Sequence, residues 1–470
     1  MSRTKPKIVE IEITGLAHKG AAVGRTDEGL VVFVKDAVPG DRVKAALIKK
    51  RKGTWNANLE EIIRYSTHRF KPVCQHFGIC GGCSWQNLDY SEQLNQKEKL
   101  VKDALVRIGK VADVLIEKIL PAPHTELYRN KMEYTFSNNR WLTKEEINRV
   151  QQPEDLLALG FHRPGIFYKI VDIEKCHLQI DSSNQIRNFI KAYAIQEKLD
   201  FYDIKIQKGF LRNLIIKCNR QNEIMCILVL EYDDEQIISN IVRELISNFK
   251  EIISIYVVIN AKKNDSYFDL TFSKLYGEDY LTEHLDHAKF LIGPKSFFQT
   301  NPEQAASLYR LVAEYADLKG HETVYDWYCG VGSIGIYLAK NATKVIGVEE
   351  VAEAIDDAKL NAQTNNLDNC HFFVTDAKNA DIESLTQQFG YPDLLVVDPP
   401  RTGMHPNVIE QIIKLHPPKL IYVSCNPATQ ARDILLLSTH YKVEKIKPVD
   451  MFPHTNHVEA VALLSWIETE

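Results

Sequence analysis

The chain lacks any long apolar run. None of its hydrophobic stretches approaches the ~18 consecutive residues that suggest a membrane-spanning helix. The segment Met1 to Lys7 is basic and polar and has no apolar signal-peptide core, so we expect a cytoplasmic protein with no membrane partner. Internal repeats and low-complexity segments are also missing. The composition, 45% hydrophobic and 25% charged, is that of an ordinary globular protein, and its 470 residues predict two to three domains. No obligate protein partner is evident.

A strong net charge is lacking as well, since the formal value is −5. This total argues against a nucleic-acid binder, but the charges are unevenly distributed. Residues 1–70 contain 14 Lys and Arg against 8 Asp and Glu, and the remainder is acidic. A basic N-terminal module suits contact with phosphates, although an unevenly charged solvated surface would look the same. The nine cysteines of an expected cytosolic chain indicate metal binding, catalysis or burial rather than disulfides.

Two regions differ in their pattern. Residues 7–64 alternate short β-branched runs with glycine-rich turns, which is typical of a small closed barrel of the OB type. The basic run 49–52 is predicted to lie on a loop between two of its strands. From Ser296 onward, apolar strands alternate with helices, which predicts a parallel sheet covered on both faces. Ligands of such sheets bind at the carboxyl ends of the strands.

A glycine loop follows the first strand of this C-terminal region, in the sequence Asp-Trp-Tyr-Cys-Gly-Val-Gly-Ser-Ile-Gly that begins at Asp326. Its glycines match the pattern G-x-G-x-x-G and let the backbone approach a ligand closely. Glu349 ends the next strand, where a carboxylate can accept both hydroxyls of a ribose. These features suit NAD and S-adenosylmethionine equally.

The sequence Asp398-Pro399-Pro400-Arg401 comes directly after another apolar strand. Two prolines prevent a helix from starting at once and hold Asp398 at the strand end. Methyltransferases that act on flat nitrogenous rings commonly have this arrangement, whereas dinucleotide enzymes have no need for it. A plain proline turn is the alternative.

Cys425 and Glu459 are the candidate catalytic pair. Cys425 lies where a strand meets a helix, and the helix N-terminus is expected to lower the pKa of its thiol. Glu459 opens the last strand. Methylation of carbon 5 of uracil needs a thiolate at carbon 6 and a base that removes the carbon 5 proton, so the two residue types belong together. A buried structural cysteine and a solvated carboxylate are the alternatives.

Three cysteines, Cys74, Cys80 and Cys83, lie within ten residues that are rich in glycine, and Cys176 is the candidate fourth thiolate. Four cysteines suit an iron–sulfur cluster or a structural zinc ion. Zinc sites usually consist of two closely spaced pairs, so the isolated fourth cysteine favours iron–sulfur. We expect a structural or RNA-positioning role without a redox step.

Together these motifs resemble the RNA uridine-5-methyltransferase family, and specifically its ribosomal-RNA branch. The resemblance also includes Ser296-Phe297-Phe298-Gln299 and His457-Val458-Glu459. It implies that Cys425 is the nucleophile, that Glu459 is the proton acceptor, and that the four cysteines bind a [4Fe–4S] cluster. The implied contacts to S-adenosylmethionine are Gln299, Tyr328, Glu349, Asp398 and, beside the adenine, Asp376.

The resemblance also implies an order of domains. Residues 1–68 resemble a TRAM domain, an RNA-binding OB-like barrel. Residues 69–90 with 120–290 form an expected α+β central domain, and residues 91–119 with 291–470 an expected Rossmann-like class I methyltransferase domain. The transfer-RNA branch characteristically lacks the barrel and the cluster, so 23S ribosomal RNA is the expected substrate and partner. Transfer RNA, an iron–sulfur NAD oxidoreductase and a non-catalytic RNA-binding protein are the alternatives.

Overall fold

The computed structural model describes residues 6–17, 20–111 and 113–468. Residues 1–5, part of both the basic segment Met1–Lys7 and the predicted barrel, lie outside the described residues. Within the described ranges, no helix combines the length and apolar character needed to cross a membrane.

The N-terminal module is a closed five-stranded barrel in the order β1-β2-β3-β5-β4, as predicted. The strands are β1 (Ile8–Leu16), β2 (Ala22–Arg25), β3 (Val31–Val34), β4 (Arg42–Arg51) and β5 (Thr54–Arg64). Ile11, Ile13 and Val43 point inward and are almost fully buried. Gly24 permits the close pairing of β1 and β2, since a Cβ there would lie 2.2 Å from the carbonyl oxygen of Glu12.

The prediction for the basic run 49–52 was wrong. Its first three residues are the exposed end of β4 and pair with residues 54–56 of β5. Only Lys52 and Gly53 form the turn, with φ of 47° and 80°. Such a two-residue turn matches the twist of its flanking strands, so the strands continue to the tip without a longer loop. The basic side chains therefore lie on an extended hairpin arm.

A linking segment follows the barrel. It contains the cysteine-rich stretch, helix α1 (Tyr90–Ala104), one π-helical turn (Leu105–Gly109) and the short strand β6 (Leu115–Ile116). The side chain of Asp89 accepts the N–H of Glu92 and so begins α1. β6 joins the edge of the C-terminal sheet.

The central region is a seven-stranded sheet with helices packed on one face. Its elements are β7 (Lys131–Ser137), α2 (Lys144–Ile147), β8 (Ala158–Arg163), β9 (Ile166–Asp172), α3 (Asp181–Gln196), β10 (Leu211–Cys218), β11 (Ile224–Leu230), α4 (Glu235–Asn248), β12 (Ile252–Ile259) and β13 (Ser273–Gly277), with a 3₁₀ turn at Pro153–Leu156. The strand order is β13-β12-β11-β10-β7-β8-β9. Helices α3 and α4 bury apolar side chains against this sheet.

The C-terminal region alternates strands and helices. It comprises the hairpin β14 (Leu281–Leu285) and β15 (Ala288–Ile292), then α5 (Pro302–Ala316), β16 (Thr323–Trp327), α6 (Ser333–Ala339), β17 (Lys344–Glu349), α7 (Ala352–Thr364), β18 (Cys370–Val374), a 3₁₀ turn (Ala377–Asn379), α8 (Ile382–Phe389), β19 (Leu394–Val397), α9 (Pro406–Leu415), β20 (Lys419–Ser424), α10 (Pro427–Leu437), β21 (Tyr441–Val449) and β22 (Glu459–Trp466). Apolar clusters cover both faces of its sheet.

This sheet has the order β18-β17-β16-β19-β20-β22-β21-β6. Strands β16 to β20 are parallel, as predicted, but β22 runs antiparallel to both β20 and β21. The short connection between β21 and β22 allows only an antiparallel pair. The first residue of β22 therefore lies at the same edge as the last residue of β20.

The connection between β21 and β22 is held by α1 and the cysteine-rich segment. Lys97 and Asp450 are both fully buried, with Nζ 2.5 Å from Oδ1. The hydroxyl of Tyr90 donates to the other carboxylate oxygen of Asp450 at 2.9 Å. The carbonyl oxygen of His454 accepts the N–H groups of residues 84 and 85. The segment that leads into β22 is thus held in place by α1 and by the cysteine-rich segment before it.

Candidate active site

The loop between β16 and α6 combines unusual backbone angles with a buried carboxylate. Tyr328, Gly330 and Gly332 all have positive φ, at 63°, 54° and 75°. This conformation is strained for a tyrosine, which is typical of ligand-binding loops. Asp326 accepts the N–H of Gly335 at 2.8 Å, and burial raises the pKa of its carboxyl to about 7. The loop therefore presents backbone amide groups next to a fixed acidic side chain.

Glu349, the last residue of β17, closes one side of this loop. Its carboxylate accepts the N–H of Gly330 at 3.2 Å and that of Val351 at 3.0 Å. A carboxylate has about four acceptor positions, so capacity for two hydroxyl donors remains. The geometry suits the ribose of a nucleoside.

A cavity of about 390 Å³ lies above the carboxyl ends of β16, β17 and β19. Four of the five residues predicted to contact S-adenosylmethionine line this cavity, which we call the donor cavity: Gln299, Tyr328, Glu349 and Asp398. Asp376 is not among the lining residues. It lies after β18 at the same sheet edge, where its carboxylate pairs with Lys378 at 2.6 Å. The acidic and aromatic lining fits S-adenosylmethionine, which carries ribose hydroxyls, a flat adenine and a positive sulfonium.

Cys425 and Glu459 lie on neighbouring strand ends. Cys425 directly follows β20, Glu459 begins β22, and Ser424 pairs with Ala460 across the two strands. Glu459 is buried, whereas Cys425 is partly exposed. The antiparallel direction of β22 is what brings these two residues to the same edge of the sheet.

The electrostatics of this pair differ from the prediction. Burial raises the pKa of Glu459 to about 8, and the nearby Asp398 carboxylate adds to the rise. Burial, followed by the carboxylates of Glu459 and Asp398, also raises the pKa of the Cys425 thiol to about 11. The expected lowering by the start of α10 was wrong because these effects outweigh it. Arg401 acts in the opposite direction on both groups.

Sequence reasoning gave Arg401 no role, although it belongs to the Asp-Pro-Pro-Arg motif. Its place in that motif was the signal available in the sequence, and the structure sets it near the carboxyl group of Glu459 and the thiol of Cys425. The buried Lys97 was also missed. It shares the apolar face of α1 with Val101 and Ala104, four and seven positions later, so a cation on an apolar stripe was visible in the sequence.

A groove of about 540 Å³ leads from Cys425 to the barrel. One wall is formed by Cys425 and the segment 456–458, and the other by residues of β1 to β3. Three cations line it: Arg25, Lys99 and Arg107. A substrate that reaches Cys425 through this groove contacts the barrel as well, which suits a large anionic molecule.

The four cysteines predicted to bind a cluster are free thiols and partly buried. The pKa of Cys83 is raised to about 12 by burial, with smaller contributions from the other three. The other three cysteines thus lie close enough to Cys83 to act on it electrostatically. In the part of the chain that the structure describes, however, no three metal-binding side chains converge on one ion. A zinc ion requires sulfurs about 2.3 Å from a common point, so the structure does not show the predicted metal site.

The chain is similar to known RNA methyltransferases over nearly its full length. The tRNA (Uracil-5-)-methyltransferase family profile matches residues 218–467, and the TRAM domain profile matches residues 3–58. An uncharacterized RNA methyltransferase of Bacteroides thetaiotaomicron is 44% identical over 452 residues, covering 96% of this chain and 99% of that protein. A second one, from Porphyromonas gingivalis, is 44% identical over 461 residues, covering 97% and 99%.

A solved structure extends the similarity to the fold. It is the Pyrococcus abyssi tRNA (uracil-54, C5)-methyltransferase in complex with S-adenosyl-L-homocysteine, at 30% identity and a TM-score of 0.76. The superposition covers 97% of this chain and 100% of that one. The chain therefore belongs to the tRNA (uracil-5-)-methyltransferase family of S-adenosylmethionine-dependent RNA methyltransferases and carries an N-terminal TRAM domain.

Proposed function

We propose that this protein methylates carbon 5 of a uridine in 23S ribosomal RNA through a covalent bond between Cys425 and carbon 6 of the uracil. The observation that carries the proposal is the position of Cys425 and Glu459 on adjacent strand ends, each one residue beyond the cross-strand pair of Ser424 and Ala460. Asp398, which raises the pKa of both, lines the donor cavity. A thiol, a buried carboxyl group and a methyl-donor cavity thus meet at one sheet edge.

S-adenosylmethionine supplies an electrophilic methyl group. The Cys425 thiolate adds to carbon 6, which makes carbon 5 nucleophilic enough to take the methyl group. The Glu459 carboxylate then removes the proton from carbon 5, the bond between sulfur and carbon 6 breaks, and Cys425 is released. A base with a pKa of about 8 is well matched to proton transfer near neutral pH. The positive charge of Arg401 favours the thiolate.

Four side chains of the donor cavity are assigned to S-adenosylmethionine in this proposal. Glu349 accepts the ribose hydroxyls, and Tyr328 and Gln299 line the cavity beside it. Asp398 lies between this cavity and the catalytic pair. For Asp376, bound to Lys378, we propose only a place near the adenine end.

We further propose that the chain is divided into residues 1–68, residues 69–90 with 120–290, and residues 91–119 with 291–470, although the boundary at 290 falls within the hairpin of β14 and β15. The pairing of β6 with β21 supports the last grouping, because it attaches residues 115–116 to the C-terminal sheet.

Transfer RNA is the second candidate substrate. The Pyrococcus abyssi protein acts on transfer RNA by name, and its similarity extends over 97% of this chain, barrel included. The barrel therefore does not separate the two substrate classes. Ribosomal RNA stays the first candidate because of the four-cysteine set.

We propose that this set, Cys74, Cys80, Cys83 and Cys176, holds a [4Fe–4S] cluster with a structural or RNA-positioning role. Four free thiols are gathered there, and a cluster is larger than one ion and keeps its thiolates farther apart. The side-chain amide of Gln86 donates to Cys83 and the N–H of Gly82 to Cys80, contacts that suit thiolate sulfur.

Iron and acid-labile sulfide analysis of anaerobically purified protein tests the cluster. Cys176→Ala is expected to lose the iron, whereas Cys226→Ala, in the buried core of the central sheet, is expected to keep it. A methylation rate that changes with cluster oxidation state in a folded protein would contradict the structural role.

The function itself is tested by mass mapping of 5-methyluridines in ribosomal and transfer RNA from cells with and without the gene, complemented with wild type or Cys425→Ala. Loss of a ribosomal mark that only wild type restores supports the proposal. Loss of a transfer-RNA mark instead identifies the second candidate, and unchanged RNA in all strains refutes the proposal.

A further inference from the structure

A second cavity of about 340 Å³ adjoins the donor cavity. It lies between the start of β7, the end of β10 and the segment 295–300, and it shares Phe268 and residues 295–298 with the donor cavity. We call it the basic–aromatic cavity and define it by the lining residues Arg129, Lys131, Lys217, Phe268, Lys295, Phe297 and Thr300. None of these residues has a role in the reaction described above.

The charge of this cavity is mainly positive. Three cations, Arg129, Lys131 and Lys295, line it together with the carboxylate of Glu133, which accepts the hydroxyl of Tyr267 at 2.7 Å and lies 3.7 Å from Lys131. Lys295 also pairs with Glu353 at 4.0 Å. Lys217 is buried at the floor of the cavity, where burial lowers its pKa to about 7, and it donates to the carbonyl oxygens of residues 293 and 296. The excess of cations over carboxylates in the lining favours an anionic ligand.

Two residues that line the cavity each have a polar atom with no hydrogen-bond partner within the described part of the chain. The atoms are Nε of Arg129 and Oγ1 of Thr300, both buried from solvent. A buried donor without a partner costs roughly 1–3 kcal/mol. Since solvent does not reach these atoms, a phosphate or a nucleobase edge can accept from them only if the two side chains move.

Aromatic side chains supply the third feature. Phe297 is 72% exposed and Phe268 50% exposed, and both line this cavity. The ammonium group of Lys131 lies 5.4 Å from the ring centre of Phe268, so a cation and a flat apolar surface stand side by side. Single-stranded nucleic acids bind where bases stack on aromatic rings beside basic groups.

The cavity is connected through side-chain contacts to the segment that precedes Glu459. The guanidinium of Arg129 lies 5.9 Å from the ring centre of Phe452, and that ring contacts His457 edge-on at 6.2 Å. His457 is two residues before Glu459. An RNA strand with its target uridine at Cys425 would have to extend along these contacts to place a second nucleotide in this cavity.

We propose that the basic–aromatic cavity binds a second, unstacked nucleotide of the same RNA, with Arg129 and Lys131 on its phosphate and Phe268 or Phe297 against its base. The proposal rests on the function proposed above, because it requires an RNA substrate. It adds a specificity-determining contact outside the target uridine: the enzyme recognises a strand in which two nucleotides are splayed from their stacks.

Binding measurements with Arg129→Gln and Lys131→Gln test the phosphate contacts, with purified 23S ribosomal RNA and bulk transfer RNA as probes. Each variant is expected to weaken binding of whichever of the two RNAs the wild type methylates. It is also expected to reduce the steepness of the plot of log binding constant against log salt concentration by about 1. Binding of S-adenosylhomocysteine is expected to stay unchanged, which also shows that the variants fold. Arg243→Gln is the matched control, because α4 packs on the opposite face of the central sheet.

Ultraviolet crosslinking with mass mapping identifies the occupant, and it does not require turnover. The expected crosslink joins Phe268 or Phe297 to a nucleotide other than the target uridine. Wild-type RNA affinity in both variants, or crosslinks of these rings to the target uridine alone, would overturn the proposal. Weaker S-adenosylhomocysteine binding in Arg129→Gln would assign the cavity to the methyl donor and also overturn it. Failure of the proposed function has a different signature: wild type leaves both RNAs unmethylated.

Discussion

The buried contact between Lys97 and Asp450 allows a quantitative prediction for protein stability. Both side chains are fully buried, and Nζ also donates to the carbonyl oxygen of Phe452 at 3.0 Å. Lys97→Met keeps the length of the side chain but leaves the carboxylate of Asp450 buried, with the hydroxyl of Tyr90 as its remaining side-chain hydrogen-bond donor. Removing one partner of a buried ion pair costs about 3–5 kcal/mol. For a unit of 150–250 residues, each kcal/mol lowers Tm by about 2–4 °C, so a fall of roughly 6–20 °C is expected.

Thermal unfolding followed by calorimetry measures this fall, with Lys102→Met on the exposed face of α1 as the control. The double variant Lys97→Met/Asp450→Leu is expected to recover most of the lost Tm, because two apolar side chains replace the buried ion pair. The hydroxyl oxygen of Tyr90 still accepts the N–H of Ala122 in this variant. An unchanged Tm for Lys97→Met would refute the reasoning. So would a double variant whose destabilisation is the sum of the two single ones.

Three further predictions concern the active site. Glu459→Gln is expected to form the covalent adduct with RNA but not to resolve it. Turnover therefore falls about 10²–10⁴-fold, and a slow-migrating band accumulates on denaturing gels. The exposed control Glu410→Gln is expected to behave as wild type, and a Glu459→Gln variant that is fully active and forms no adduct would contradict this prediction. Turnover of wild type is expected to rise with pH through about 8, where Glu459 loses its proton, and to continue rising toward about 11, where the thiol of Cys425 ionises. Asp398→Asn removes a negative charge that disfavours ionisation of Glu459. The rise in turnover near pH 8 is therefore expected to move to lower pH, and an unshifted rise would exclude Glu459 as the titrating group. Gly347→Ala is expected to weaken S-adenosylhomocysteine binding and to lower Tm. A Cβ at this position lies 2.4 Å from the ring of Phe372 and 3.0 Å from the sulfur of Cys329, in the loop between β16 and α6. Normal binding and a normal Tm would contradict this prediction.

The strands of the two sheets were largely predictable from the sequence. Strands β12 and β19 are apolar runs buried on both faces, interrupted only by Ser254 in β12, so the sequence alone indicates them. Strand β2 is harder to predict, since its four residues include Gly24, which resembles a turn residue until the close approach of β1 is known.

The candidate site was predictable where it depends on strand ends. Glu349, Asp398 and Cys425 each follow a parallel strand, so their convergence at one edge follows from the fold class alone. The position of Glu459 does not, because it begins its strand and reaches the same edge only through the antiparallel direction of β22.

Burial and long-range partners were not accessible from local sequence. The helix after Cys425 was visible, but the two carboxylates that raise the pKa of its thiol come from β19 and β22. Likewise, the apolar stripe of α1 shows that Lys97 is buried, but no local pattern identifies its partner.

The distance along the chain between Lys97 and Asp450 sets the order of events during synthesis. The two residues are 353 positions apart. At about 5–20 residues per second, a ribosome needs roughly 20–70 s to make Asp450 after Lys97. For most of that interval the C-terminal sheet and α10, on which the apolar stripe of α1 packs, have not been made. Nascent chains that stop before this region keep the stripe exposed, so aggregation of incomplete chains is expected to increase when translation slows.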